Sequence, residues 1–590
     1  MAASLLSLSP SINNKRMSQV CLHMQSDQLR KAITCFSVCL QKQNWSIKLY
    51  MLPFRAIASH HKPFASVGSL EADVASQENH APGVSSPNNI QRSKMSFDQT
   101  GYPLDDMSDF EKQLQELFGE VKRMIMKGNK SDAIDLLKAN YEAVKEQMNV
   151  GMKGIEEAAL LDVIALGYMA VGDLKFVGSL LAMLTEVVES LKDNEPFLDS
   201  VLVHMGSMYS TLRKFEKSLL LYRRSIDILE NRYGKNSIYL ITPLLGMAKV
   251  LGAIGRSTKA VETYHRAIAI LELNKGAESE DLVVALFGLG NILLKEGRTT
   301  DAETHFVRIL NLYKKLYGEN DGRVGMAMCS LAHVKCAKGN PDEAIQLYEN
   351  ALQVIKDSNY VALDDSIMEK MRIDLAELLH VVGRGKEGRK MLEECLLITE
   401  KYKGKEHPSS VTHLLNLATS YSRSKNFVEA ERLLRTSLEI MRKTVGPDDQ
   451  SITFPMLHLA VTLYNLKRDE EAEQLALEVL HIREKAFGKD SLPVGEALDC
   501  LVSIQTRLGK DDGELLELLK RIVSIQEREF GYESEEVMET LKKIVYYLDK
   551  LDDECELVST VQTDEWGLVS TVQTDECGLV STVHRMKMIL

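Results

Sequence analysis

SLAHVKCAKGNPDEAIQLYENAL, Ser330 to Leu352, is the stretch on which the fold turns. It holds the pair Leu331-Ala332, Gly339 seven residues later, Ala344 five further on, then Tyr348 and Ala351. Shifted back by 42 residues, GLGNILLKEGRTTDAETHFVRIL places Gly290, Gly297, Ala302 and Phe306 in the same slots. A second step of 42 gives Ala248, Gly255, Ala260, Tyr264 and Ala267, and a third gives Gly206, Tyr209 and Tyr222. Forward, the slot of Ala332 returns at Ala376 after 44 residues, then at Ala418, Ala460, Val502 and Ile544 at steps of 42. The alanine of the second half returns as Ala430 and Ala472, and upstream Gly167, Gly128 and Ala133 fit more loosely. A period this constant is the signature of a repeat array.

The residue types explain the period. Between the glycines, apolar residues recur at helical spacing, as in Leu289, Ile292 and Leu293, then Phe306, Ile309 and Leu310. Gly255, Gly297, Gly339 and Gly509 fall where a first helix must stop and the chain reverse, a place suited to positive φ. Small residues at positions 206, 248, 290 and 332, and at 260, 302 and 344, let two helices approach closely. The aromatics at 222, 264, 306 and 348 fill the space beside them. One such hairpin leaves an apolar side uncovered, so only stacking of neighbours buries a continuous core.

These marks resemble the tetratricopeptide repeat (TPR): a Leu-Gly/Ala pair, an aromatic, a glycine turn, then Ala, aromatic and Ala. The usual period of that family is shorter, and the extra length here sits between repeats, where Tyr233-Gly234, Tyr317-Gly318, Val445-Gly446, Phe487-Gly488 and Phe530-Gly531 close long second helices. KGKEHPSSVTHLLNLATSYSRSKNFVEAERLL, Lys403 to Leu434, is similar to the kinesin-light-chain type of TPR, with its Gly-x-x-His-Pro linker and Leu-Asn-x-Leu-Ala helix. The resemblance implies an all-α, right-handed superhelical solenoid of antiparallel helix pairs, about ten repeats over residues 104–552. No sustained heptad precedes them in residues 1–106, whereas kinesin light chains carry a long coiled coil there.

The resemblance also implies that the first helices line a concave groove that takes a peptide or protein. Carried over position by position, the groove candidates are His204, Ser207, Lys249, Asn291, Lys295, His333, Asn416, Arg423, His458, Tyr464, Asn465 and Arg507. Asn416 matches the asparagine of the kinesin-light-chain pattern. Polar donors at each repeat suit an extended peptide, whose backbone needs regularly placed partners. The carboxylate clamp by which some TPR domains hold chaperone tails is not assembled: Asn291 and Lys370 are its nearest elements, but Phe287 and Asp374 occupy two other clamp positions.

Composition narrows the function classes. The 590 residues are 45% hydrophobic, 26% charged and 6% aromatic, with only 13 prolines and 35 glycines, which suits helices and excludes wholesale disorder. Net charge is −13 for the whole chain, but residues 1–70 hold eight Lys/Arg against Asp27 alone, so residues 71–590 carry −20. Such an acidic body opposes a nucleic-acid partner. Walker, GxSxG, HExxH and glycine-rich strand-turn motifs are absent, as are CxxC pairs, so no enzyme activity, cofactor, metal or small-molecule substrate is expected. His60-His61 falls in the basic leader, and Cys329 and Cys336, seven apart on one helix face, read as small core residues. The leader, opening MAASLLSLSPSINN and poor in acid, reads as a transit peptide over residues 1–70, plastid in preference to mitochondrion or cytoplasm. No stretch in it is apolar enough to span a bilayer. A linker over 71–103 follows. In residues 553–590, ELVSTVQTDE, GLVSTVQTDE and GLVSTV recur at an eleven-residue step from Glu556, Gly567 and Gly578, read as a disordered tandem tail. The expected function is a non-enzymatic scaffold or adaptor in organelle protein assembly. The alternative is a cytosolic kinesin-light-chain-like cargo or cytoskeletal adaptor.

Overall fold

The structure, a computed structural model, describes the backbone of residues 104–562 and the side chains of residues 110–551. The leader, the linker and the tail beyond Gln562 lie outside the described residues. Described residues fold into α-helices joined by short turns, with two short 3₁₀ turns and no strand among them. They fall into two compact units divided between Tyr360 and Val361.

The first unit holds six antiparallel hairpins: α1 (Leu104–Met126) with α2 (Lys130–Asn149), α3 (Ile155–Val171) with α4 (Leu174–Ser190), α5 (Leu198–Thr211) with α6 (Phe215–Tyr233), α7 (Ile241–Ala253) with α8 (Ser257–Lys275), α9 (Leu282–Lys295) with α10 (Thr299–Tyr317), and α11 (Gly322–Lys338) with α12 (Pro341–Asp357). The second holds four: α13 (Ser366–Val381) with α14 (Gly385–Lys403), α15 (Pro408–Arg423) with α16 (Phe427–Thr444), α17 (Thr453–Asn465) with α18 (Asp469–Phe487), and α19 (Leu492–Leu508) with α20 (Asp512–Phe530). A final helix, α21 (Glu535–Gln562), packs on α20. It runs without a break through residue 553, where the sequence reading begins the tail. Its first copy, ELVSTVQ, continues a helix begun by strong helix formers such as Leu548, Lys550 and Leu551.

Backbone conformation repeats as regularly as sequence. The turn from first to second helix is left-handed at Gly255, Gly297, Gly339, Gly383 and Gly509, and also at Arg213, Lys425 and Lys467, with φ between 58° and 84°. The non-glycine cases show that stacking demands this conformation even where a Cβ opposes it.

Packing follows from the small-residue slots. A Cβ on Gly206 would meet the Tyr222 ring at 3.0 Å, and one on Gly290 would meet Phe306 at 2.6 Å, so each aromatic lies against its own first helix. The same rings press on the following hairpin: a Cβ on Gly246 would lie 2.4 Å from Tyr222, and one on Gly288 2.5 Å from Tyr264. Where the second-helix slot holds a smaller residue, as at Leu180, Leu392, Leu434 and Ala476, the matching first-helix position is larger: His204, Asn416, His458 and Cys500. Ring and glycine trade volume along the array.

Arginines on second helices tie each hairpin to the one before. Arg266 lies 2.5 Å from Glu230 and donates to the Lys235 carbonyl; Arg308 lies 2.6 Å from Glu272 and donates to the Ala277 carbonyl. In the second unit Arg521 repeats this on Glu484 and the Lys489 carbonyl. Each glutamate stands four residues before the turn glycine, and each carbonyl belongs to the residue after it.

Candidate functional site

First helices carry the candidate residues, and two registers matter. In the first unit Ser207, Lys249, Asn291 and His333 lie 42 residues apart, one beyond the small-residue slot, on α5, α7, α9 and α11. Lys249 is exposed and the other three are half-buried. In the second unit Asn416 and His458, both half-buried, stand two residues before that slot on α15 and α17. Arg423, Asn465 and Arg507 stand five beyond it, with Tyr464 beside Asn465.

Several of these side chains are already engaged. His333 uses both ring nitrogens, Nδ1 on the Cys329 carbonyl at 2.8 Å and Nε2 on the Tyr348 hydroxyl at 3.0 Å. Lys295 donates to the Gly252 carbonyl at 3.2 Å, and Asn465 Nδ2 to Val461 at 2.7 Å. Arg507 stacks on Tyr464 with 3.4 Å to the ring centre and pairs with Asp469, its Nε donating to Oδ2 at 2.9 Å. That guanidinium reinforces the joint between α17 and α19. Among the described residues Ser207, Lys249, Asn291, Asn416 and Arg423 make no side-chain hydrogen bond or ion pair, which leaves their polar ends for a ligand.

His204 stands apart. It is 1% exposed, beneath the groove register, with Nδ1 on Asp162 Oδ2 at 2.6 Å. Asp162 is fully enclosed on α3, and burial pushes its carboxyl above the usual range while His204 pulls it back. Asp162 Oδ1 and His204 Nε2 have no partner. This pair is a core feature, and Asp162 was not among the residues singled out in the sequence, although it lies 42 residues before His204. Phe454 was also missed. It is 54% exposed on α17 and stacks on His458, one turn on, with ring centres 5.4 Å apart. Burial holds the His458 imidazole below its ordinary pKa, so a neutral ring and an exposed phenyl share that helix face.

Other polar clusters lie inside the core. Thr399 and the His413 Nε2 are 3.0 Å apart and both enclosed, and burial drives the thiols of Cys395 and Cys500 up to about 12, far from a reactive thiolate. An open groove of about 570 Å³ between α16 and α18 is bridged by Arg435 with Glu471 at 2.6 Å, so its charges are satisfied within the array. Among the described residues no group of three or more His, Cys, Asp or Glu could hold a metal ion, and no helix is long and apolar enough to cross a membrane.

Known proteins supply the family context. Residues 197–272, 281–357 and 368–443 match a family model described as tetratricopeptide repeat, and residues 456–492 match a second model of the same description. The chain carries tetratricopeptide repeats. No curated protein matches it. Among solved structures it is similar to a putative kinesin light chain with nearly identical TPR-like repeats from Podosopora anserina, at 21% identity over 34% of this chain and 94% of that one, TM-score 0.31. RapI in its apo form aligns at 13% identity over 68% of this chain and 99% of that one, TM-score 0.40. The apo quorum sensor NprR from B. thuringiensis aligns at 12% over 63% and 99%, TM-score 0.39.

Proposed function

We propose that this chain is a non-enzymatic scaffold whose first-helix face holds an extended segment of a protein partner. One observation carries the reading: Ser207, Lys249, Asn291 and His333 recur in one register on four successive first helices, each at least half open to solvent. Side-chain amides and hydroxyls at a fixed repeat suit a peptide backbone, and a pre-stacked array limits the ordering cost of capture. The basic, acid-poor leader supports a place in organelle protein assembly, in the chloroplast, for this scaffold. The kinesin-light-chain-like linker Gly404 to Pro408 favours a second reading, a cargo adaptor in the cytosol.

Two experiments test these statements. Full-length chain expressed in its host captures partners by proximity labelling, and Asn291→Ala with Asn416→Ala removes a defined subset while the fold stays intact. Capture indifferent to both substitutions defeats the groove reading. Residues 1–80 fused to a fluorescent protein enter plastids; a diffuse cytosolic signal rejects the organelle assignment and leaves the adaptor.

A further inference from the structure

The last hairpin carries a socket of the kind that arginines fill elsewhere in the array. Glu527 stands four residues before Gly531, where Glu230, Glu272 and Glu484 stand before Gly234, Gly276 and Gly488. Each of those three carboxylates receives an arginine from the following second helix, and the residue after each glycine offers its carbonyl to the same guanidinium. Glu527 and Tyr532 occupy the two acceptor positions in the last hairpin. No described residue reaches them, because α21 is a first helix with no second helix after it among the described residues. Glu527 is half-buried, and burial alone raises its carboxyl, with no cation to counter it.

The surroundings define what fits. Phe530 is 47% and Tyr532 76% exposed, and neither ring stacks on another among the described residues. Glu529, Glu533, Glu535 and Glu536 around them are exposed. One hairpin earlier the same turn reads Phe487-Gly488-Lys489-Asp490, with lysine at the Tyr532 position and α20 arginines on its carbonyls. The last turn is therefore more apolar and more acidic, and it calls for a segment that is basic and apolar together.

Such a segment follows in this chain. The first two eleven-residue copies read VQTDE at Val561 and Val572, and the third reads VHRMK at Val583, continuing to Met588, Ile589 and Leu590. Arg585 replaces a threonine, and Met586-Lys587 replaces an Asp-Glu pair. The reach is sufficient: α21 carries the chain about 42 Å from the turn at 1.5 Å per residue, and the 23 steps from Gln562 to Arg585 span up to about 75 Å extended.

We infer that residues 584–590 fold back on the last turn of the array, with the Arg585 guanidinium on Glu527 and the Tyr532 carbonyl, and Met586, Met588 and Ile589 against Phe530 and Tyr532. The contact takes the place that a further second helix would take and closes the open end of the stack. It leaves the first-helix groove untouched.

Hydrogen exchange on the full-length chain tests this. Amides of residues 527–537 exchange about five-fold or more faster in Arg585→Ala than in the parent, while residues 230–240 do not change. The charge swap Glu527→Arg with Arg585→Glu restores slow exchange, whereas either change alone does not. Exchange at 527–537 that ignores Arg585→Ala overturns the inference. Protection that grows with protein concentration also overturns it, since the ligand is then a second copy.

Discussion

Replacing His204 tests the buried pair beneath the groove most severely. His204→Leu leaves the Asp162 carboxyl fully enclosed with both oxygens unpaired, since Oδ1 has no partner even in the parent. Removing one member of a buried pair costs about 3–5 kcal/mol. Asp162→Leu leaves a neutral imidazole instead and costs less, about 1–3 kcal/mol, the desolvation of an uncharged polar group. The double substitution puts two apolar side chains in contact and recovers most of the loss. Because a stack of neighbour-coupled hairpins need not unfold in one step, local hydrogen exchange in α3 and α5 is the appropriate assay. There, 3 kcal/mol corresponds to roughly 10²-fold faster opening. The sign with pH is fixed as well. Burial raises the Asp162 carboxyl above its unfolded value of 3.8, so in His204→Leu the penalty is absent below that pH. It grows as pH rises and is complete above the folded-state pKa. Equal and small effects of the two single changes, or a double variant no better than the worse single, would refute this account of the pair.

Two further outcomes follow from packing and titration. Gly288→Ala forces a methyl to within 2.5 Å of the Tyr264 ring and costs about 1–3 kcal/mol, whereas Gly288→Ala combined with Tyr264→Leu recovers stability; exchange rates in α8 and α9 check both. In the second unit His380, His413 and His458 are held neutral by burial, His380 down to about 4. A histidine whose folded-state pKa lies below its unfolded value gives stability that is present above about pH 6.5 and lost as pH falls towards the folded value. Acidification from pH 7 to 5 therefore lowers the denaturant midpoint of the segment 361–552, and His380→Gln flattens that slope.

How much was legible varies from residue to residue. The hairpin period could be read because Gly297, Ala302 and Phe306 mark three separate steric demands in 17 residues, and those demands repeat. The left-handed turns at Arg213, Lys425 and Lys467 hid from that reading, since their side chains give no sign of positive φ. Gly246 and Gly288 were visible as letters but not as partners of the preceding tyrosine, because the contact crosses between hairpins. In the groove, position predicted helix face and not occupancy: His333, Arg507 and Lys295 sit in the expected registers yet spend their polar atoms on the array itself. His204 went below the surface because Leu180 leaves room that Tyr222 would have filled. Volume at one helix decided the role of a residue on another.

The arginine joints also bear on how such a chain can change length over generations. Excising residues 238–279 would bring Arg308 opposite Glu230 and Tyr222 against Gly288, each meeting the counterpart it had in the parent. A loss or gain of one whole period leaves a stack whose seams still match. A cut of any other size breaks every seam it touches, so lineages of this chain should differ by whole hairpins, with their reading heads longer or shorter and their joints unchanged.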